Sequence, residues 1–229
     1  MFKKINKRQL LALISNIILI ILELIGFYLS ITKHNKLLIK YYTQNSNLIA
    51  LAASLLFVIY GFIAIFNTKA NIPKWVKKAR YVATCSLSLT LFMVLLTPLP
   101  FSNKNFVNVM FKESALYHHT LCPLLSIVSF VIFEDYGKKK LGDILSALSF
   151  TFIYGFVIVL ANILKILNGP YPFLFVYSQP AYATFIYIVS ILFCAYVIDN
   201  LVIFFNNKIT NIIKNKHFKK EKARIEKSP

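Results

Sequence analysis

Six apolar stretches, each close to the thickness of a bilayer's hydrocarbon layer, leave this chain few folds to adopt. They are Leu10–Ile31, Asn47–Phe66, Val82–Leu99, Tyr117–Phe133, Ile144–Leu167 and Ala181–Phe205. A helix needs roughly 20 apolar residues to cross that layer. Within it, every backbone donor and acceptor must be paired inside the protein, so apolar segments of this length become helices. The sequence therefore predicts an all-α, polytopic membrane protein with six transmembrane helices. The first apolar run follows Lys3, Lys4, Lys7 and Arg8, as in a signal peptide. It outlasts the roughly 7–15 residues of a signal sequence's apolar region, and no small-residue cleavage pattern follows, so a retained helix is expected.

Composition supports the same class. Hydrophobic residues make up 58% of the 229, against about 45–50% in soluble domains. Lys and Arg number 26 and Asp and Glu only 8. That imbalance would suit a nucleic-acid binder, but not at this hydrophobicity, and no nucleic-acid partner is expected. Basic loops on one side of a membrane reconcile the two. Twenty of the basic residues lie in the N-terminus, the second and fourth connections and the C-terminal tail, and five in the first and third connections. The fifth connection, residues 168–180, has none, and Lys165 is expected within the fifth span. This bias predicts both termini in the cytoplasm, as an even number of spans requires. The expected location is the plasma membrane, and abundant Lys, Asn and Ile point to an AT-rich bacterial source. Residues 1–205 are expected to form one transmembrane domain. Residues 206–229 form a basic tail suited to anionic lipid headgroups.

Polar residues inside spans are costly and therefore informative. The expected topology places three polar clusters at one outer depth: Tyr42 to Asn47, Tyr117 to Thr120, and Asn162 to Phe173. Thr43, Asn47, Ala50 and Ser54 follow helical spacing below the first cluster, and His119, Cys122, Ser126 and Ser129 below the second. Packing of small residues explains the lower parts of both stripes. Pro123 cannot donate to the His119 carbonyl, so a kink is expected beside the paired histidines. Thr43 also suits a helix N-cap, and Lys165 suits a side chain reaching up to the interface. Glu23 lies mid-span and needs a partner, with Lys165 or an Asn as candidates. Glu134, Asp135 and Asp199 read as solvated helix ends. Cys85, Cys122 and Cys194 all sit in apolar runs and read as small hydrophobes.

The remaining histidines, His34 and His217, offer no second helix for a bis-histidine haem. No Cys/His spacing suits zinc, so no metal or cofactor is expected. What remains is a hydroxyl and an imidazole: Thr43 as nucleophile and His119 as base, the arrangement of acyl transfer. Asn45, Asn47, His118, Lys165 and Tyr171 would surround the substrate, with Asn45, Asn47 or freed backbone amides near Thr43 as candidate oxyanion donors. Adjacent helical residues diverge by about 100° at 3.6 residues per turn, so His119 rather than His118 is expected to head the stripe.

Lys40-Tyr41-Tyr42-Thr43 with Asn47, then His119-Thr120 and Pro123, then Tyr171-Pro172-Phe173, resemble the androgen-induced and androgen-dependent TFPI-regulating proteins and their bacterial six-helix relatives. The likeness runs over roughly residues 10–205. It implies a six-helix fold and a membrane hydrolase of fatty acid esters of hydroxy fatty acids, with Thr43 and His119 as the catalytic pair. The alternative is a non-enzymatic transporter or a lipid- or partner-binding membrane protein.

Overall fold

The computed structural model describes residues 6–34, 39–67, 69–96, 106–138 and 140–225. Among them there is no strand, and six helices are long and apolar enough to cross a membrane. The spans are Lys7–His34, Tyr42–Phe66, Lys74–Leu96, Leu116–Phe133, Leu141–Ile163 and the helix beginning at Ala181. A short helix, Phe106–Phe111, precedes the fourth span. Pro98 and Pro100, at the end of the third apolar stretch, lie outside the described residues.

The third span is the axle of the bundle, packing against the second, fourth, fifth and sixth. Its contact with the second span is a seam of small residues, Ala50 and Ala53 against Ala83 and Leu87, all buried. Small side chains let helices approach closely where no water drives them together. The second seam joins Tyr81, Cys85, Phe130, Ala147, Val202 and Ile203 from four spans. Large apolar side chains such as Phe156, Phe185 and Phe193 point outward, as suits a lipid-facing surface.

Several boundaries differ from expectation, each for a visible reason. The second span starts at Tyr42, so the polar run 42–46 is helical. Thr43 is therefore not the N-cap, a position held by Tyr41. The phenol oxygen of Tyr171 accepts the Tyr42 N–H at 3.1 Å and does the capping from another segment. The third span starts at Lys74, eight residues early, which draws Arg80 into the core instead of a loop. The fifth span stops at Ile163 rather than passing through Lys165. Lys165 takes a left-handed conformation, φ 58°. Its N–H donates to the Asn162 carbonyl at 3.0 Å, and that of Ile166 to Ala161 at 2.9 Å. These two bonds form a Schellman motif, which stops a helix by turning the chain back on its last carbonyls.

The sixth helix runs from Ala181 to Ile225 without a break at 205/206. Asn206 is buried and donates to the carbonyls of Phe130 and Glu134 at 2.6 and 2.7 Å. Thr210 is buried too and accepts from Arg8 at 2.8 Å. The packed bundle thus includes the first turns of what reads in the sequence as a tail.

The fourth span is not a plain α-helix. Leu116–Leu121 and Ser129–Phe133 are π-helical turns flanking the α-helical segment Cys122–Val128. In the first, the Cys122 N–H reaches back five residues to the Tyr117 carbonyl. In that register position 123 would donate to the His118 carbonyl, but Pro123 has no N–H. Asn47 of the second span supplies the missing donor, its Nδ2 lying 3.2 Å from that carbonyl. The carbonyl released by Pro123 is thus partnered at His118, where an unbroken α-helix would have freed that of His119.

Candidate functional site

At the end of the bundle where the second span begins and the third ends, two distinct arrangements sit side by side. The first is a cavity of about 240 Å³. Its wall is mostly apolar, including Leu89, Met93, Val159 and Leu192, while Thr43, Thr90, Thr151 and Tyr171 add hydroxyls. The Tyr42 hydroxyl bonds that of Thr151 at 2.9 Å, and Ser46 bonds Thr90 at 2.8 Å. Thr43 lies beside the Tyr171 phenol, whose ring stacks on Phe173 with centroids 5.2 Å apart. Burial pushes the Tyr171 phenol up, and the neighbouring Thr43 and Tyr42 only partly offset it. Tyr171 is therefore a neutral donor–acceptor at physiological pH.

The second arrangement lies between the first, second and fourth spans and is built on His118, which is 1% exposed. Its Nε2 is 3.6 Å from Glu23 Oε2, and its Nδ1 is 3.3 Å from the Gln44 amide nitrogen. That nitrogen also donates to Ser30 at 3.2 Å. The Phe27 ring meets the imidazole edge-on, with centroids 4.7 Å apart.

Thr43 and His119 have separate partners. Thr43 is turned to Tyr171 and the cavity. His119 Nδ1 is 2.6 Å from the Val109 carbonyl, and Thr120 donates to Met110 at 2.8 Å, so both hold the short helix Phe106–Phe111 in place. No hydrogen bond joins Thr43 to His119 among the described residues. His118 rather than His119 heads the polar stripe. The π register spaces it four residues above Cys122, which in turn contacts Glu23. Asn45 is taken up by the carbonyls of Ile39 and Tyr41. Asn47 donates to the carbonyls of Thr43 and His118. Neither amide is free to donate to an oxyanion. Lys165 is exposed and lies over the Tyr177 ring, 5.2 Å from its centroid, so Glu23 finds its partner in His118 instead.

Toward the opposite end lies a polar network absent from the sequence expectations. Arg80 and Glu134 form a fully enclosed ion pair at 3.0 Å. Glu134 also accepts from Asn16 and Ser129 at 3.1 and 3.0 Å, and Arg80 reaches Ser54 and Ser126 at 3.3 and 3.4 Å. Glu134 and Asp199 are buried, 4% and 3% exposed, and are not solvated ends. Asp135 alone of the three is exposed, paired with Lys214 at 3.3 Å. A signal for Arg80 was available: Arg80, Thr84 and Ser88 repeat every four residues along one helix face, and Glu134 is expected at the same depth.

Comparison of the chain with protein-family models, curated proteins and solved structures finds no match to any of them.

Proposed function

We propose that this is a multi-pass plasma-membrane protein, with both termini cytoplasmic, that takes an acyl chain of a membrane lipid into the cavity beside Thr43 and Tyr171. The observation that carries this reading is the cavity's division of labour. An apolar shaft bounded by Leu89, Met93, Val159 and Leu192 suits a hydrocarbon chain, and the hydroxyls of Thr43 and Tyr171 suit an ester or acid. At about 240 Å³ it is below the roughly 300–1,000 Å³ of clefts that enclose drug-sized molecules. It therefore suits one chain segment, with the rest of the lipid left in the bilayer.

Photocrosslinking tests this in the full chain reconstituted with a phospholipid carrying a photoactivatable acyl chain. Crosslinks should concentrate on the peptides that line the cavity. Gly155 lines it too, and a Cβ added there meets nothing within 4 Å. Gly155→Leu should fill the shaft without disturbing the fold and remove those crosslinks. Crosslinks spread evenly over all six spans, and unchanged in Gly155→Leu, would defeat the proposal.

The position of Thr43 at the polar end of the same shaft favours a second reading, hydrolysis of a fatty acyl ester with Thr43 as nucleophile. His119 would then have to leave Val109 to serve as base, because a base must come within about 3 Å of the proton it takes. A fluorophosphonate probe that labels the wild type and spares Thr43→Ala would support hydrolysis. Labelling that persists in Thr43→Ala would count against it and leave the lipid-binding reading standing.

A further inference from the structure

The cluster on His118 has no part in the cavity, yet it is built with care. Gly26 leaves the space that the imidazole occupies: a Cβ there would lie 2.4 Å from His118 Nε2. Gln44 holds Nδ1 from the other side. An amide N–H given to Nδ1 requires that nitrogen to be bare, which puts the ring proton on Nε2, facing Glu23. Both carboxylate oxygens of Glu23, His118 Nε2, Gln44 Oε1 and Asn47 Oδ1 are buried and lack hydrogen-bond partners.

Unpartnered buried polar atoms of this number are rare in folded proteins. An isolated carboxylate in such surroundings is strongly disfavoured, and ionisable groups within spans commonly mark proton sites. The surrounding groups leave the role to this pair. The second span contributes only the neutral Gln44 and Asn47. The third contributes Arg80, whose charge acts on Glu23 but whose nitrogens are committed to Glu134, Ser54 and Ser126. The fourth contributes Cys122 against the carboxylate and His119 next to His118, the latter bonded to Val109. The first contributes no second acid or base beside Glu23.

We propose that Glu23 and His118 together form a buried binding site for one exchangeable proton. The proton comes from water and belongs to the pair, not to either residue. It sits either on the carboxyl beside a neutral imidazole, or on Nδ1 with a carboxylate facing an imidazolium. Gln44 serves both forms. Its amide nitrogen donates to bare Nδ1, and rotation of the amide offers the unpartnered Oε1 to a protonated one. The 3.6 Å between Oε2 and Nε2 is longer than a hydrogen bond, and a small change at the Glu23 side chain would close it.

The experiment is a pH titration of the purified full chain in lipid nanodiscs, followed by infrared difference spectroscopy and by nitrogen NMR of labelled histidine. A carboxyl signal that titrates and disappears in Glu23→Gln is expected, with its midpoint shifted by about a pH unit or more in His118→Gln, since coupled groups move each other by that much. Asp199→Asn should leave this signal in place. A signal that survives Glu23→Gln, or a midpoint unmoved in His118→Gln, would overturn the proposal. If the Glu23 variant does not accumulate in membranes, the wild-type spectrum decides. The His118 resonances, identified by their absence in His118→Gln, should change with pH, and pH-independent His118 resonances would equally overturn it.

Discussion

Substituting Gly26 by alanine tests the packing of the first span on the fourth. The new methyl carbon would fall 2.4 Å from His118 Nε2, 2.6 Å from its Cδ2 and 3.0 Å from Tyr117 Cβ. Ordinary carbon contacts lie at about 3.5–4.0 Å. The ring has nowhere to go, being held by Gln44 and Phe27 and almost fully buried. Either the imidazole leaves its place or the spans separate. Overpacking of this kind costs about 1–3 kcal/mol, and losing the Gln44 bond adds about 0.5–1.5 kcal/mol. Against this, alanine gains up to about 1 kcal/mol over glycine as a helix former. The net expectation is a loss of about 0.5–4.5 kcal/mol. Gly155→Ala is the control: it lies in a helix and meets nothing within 4 Å, so it should stabilise by about 0.5–1 kcal/mol. Denaturant unfolding of both variants in mixed micelles measures the difference. Equal stability of the two would refute the reasoning, because only the space around each glycine separates them.

The remaining predictions concern the polar interior and the topology. Arg80→Ala or Glu134→Ala should each cost about 3–5 kcal/mol by leaving one buried charge unpaired, whereas the double variant Arg80→Met, Glu134→Leu should recover much of that loss in the same unfolding assay. Asn47→Leu should cost about 1–3 kcal/mol, since the His118 carbonyl then has neither Pro123 nor Asn47 as donor; restoring the backbone donor with Pro123→Ala in that background should return part of it. Reporter fusions at each terminus should both read cytoplasmic, and an exported C-terminal fusion would remove the shared outer depth assumed for Thr43 and Tyr171.

Hydropathy made six helices legible because burial of backbone polar groups in lipid leaves almost no other solution. The expected topology puts Thr43 and Tyr171, far apart in sequence, at one depth, and in the structure they line one cavity. Rotation about each helix axis was not legible. The choice of His119 over His118 assumed 3.6 residues per turn, and the π turn at Leu116–Leu121 changes which side chain faces inward. Pro123 hinted at a break, but a proline does not announce whether the chain kinks or widens. Arg80 was missed for a different reason. A basic residue beside Lys77 and Lys78 looks like loop charge until Glu134 is seen to be enclosed with it. Polar pairing of this sort is decided by two spans at once, and a single apolar profile carries no record of it.

The last helix is also a mechanical part. Its 45 residues amount to roughly 68 Å at 1.5 Å each, more than twice the roughly 30 Å of hydrocarbon it has to cross. Its grip on the bundle, through Asn206, Thr210 and Arg8, sits partway along, like the pivot of a lever. A tilt of the stretch beside the cavity, where Ile188, Ile191 and Leu192 form part of the wall, would swing the far arm the opposite way through an arc of similar size. The stretch that lines the cavity and the basic end of the chain are thus two ends of one continuous helix.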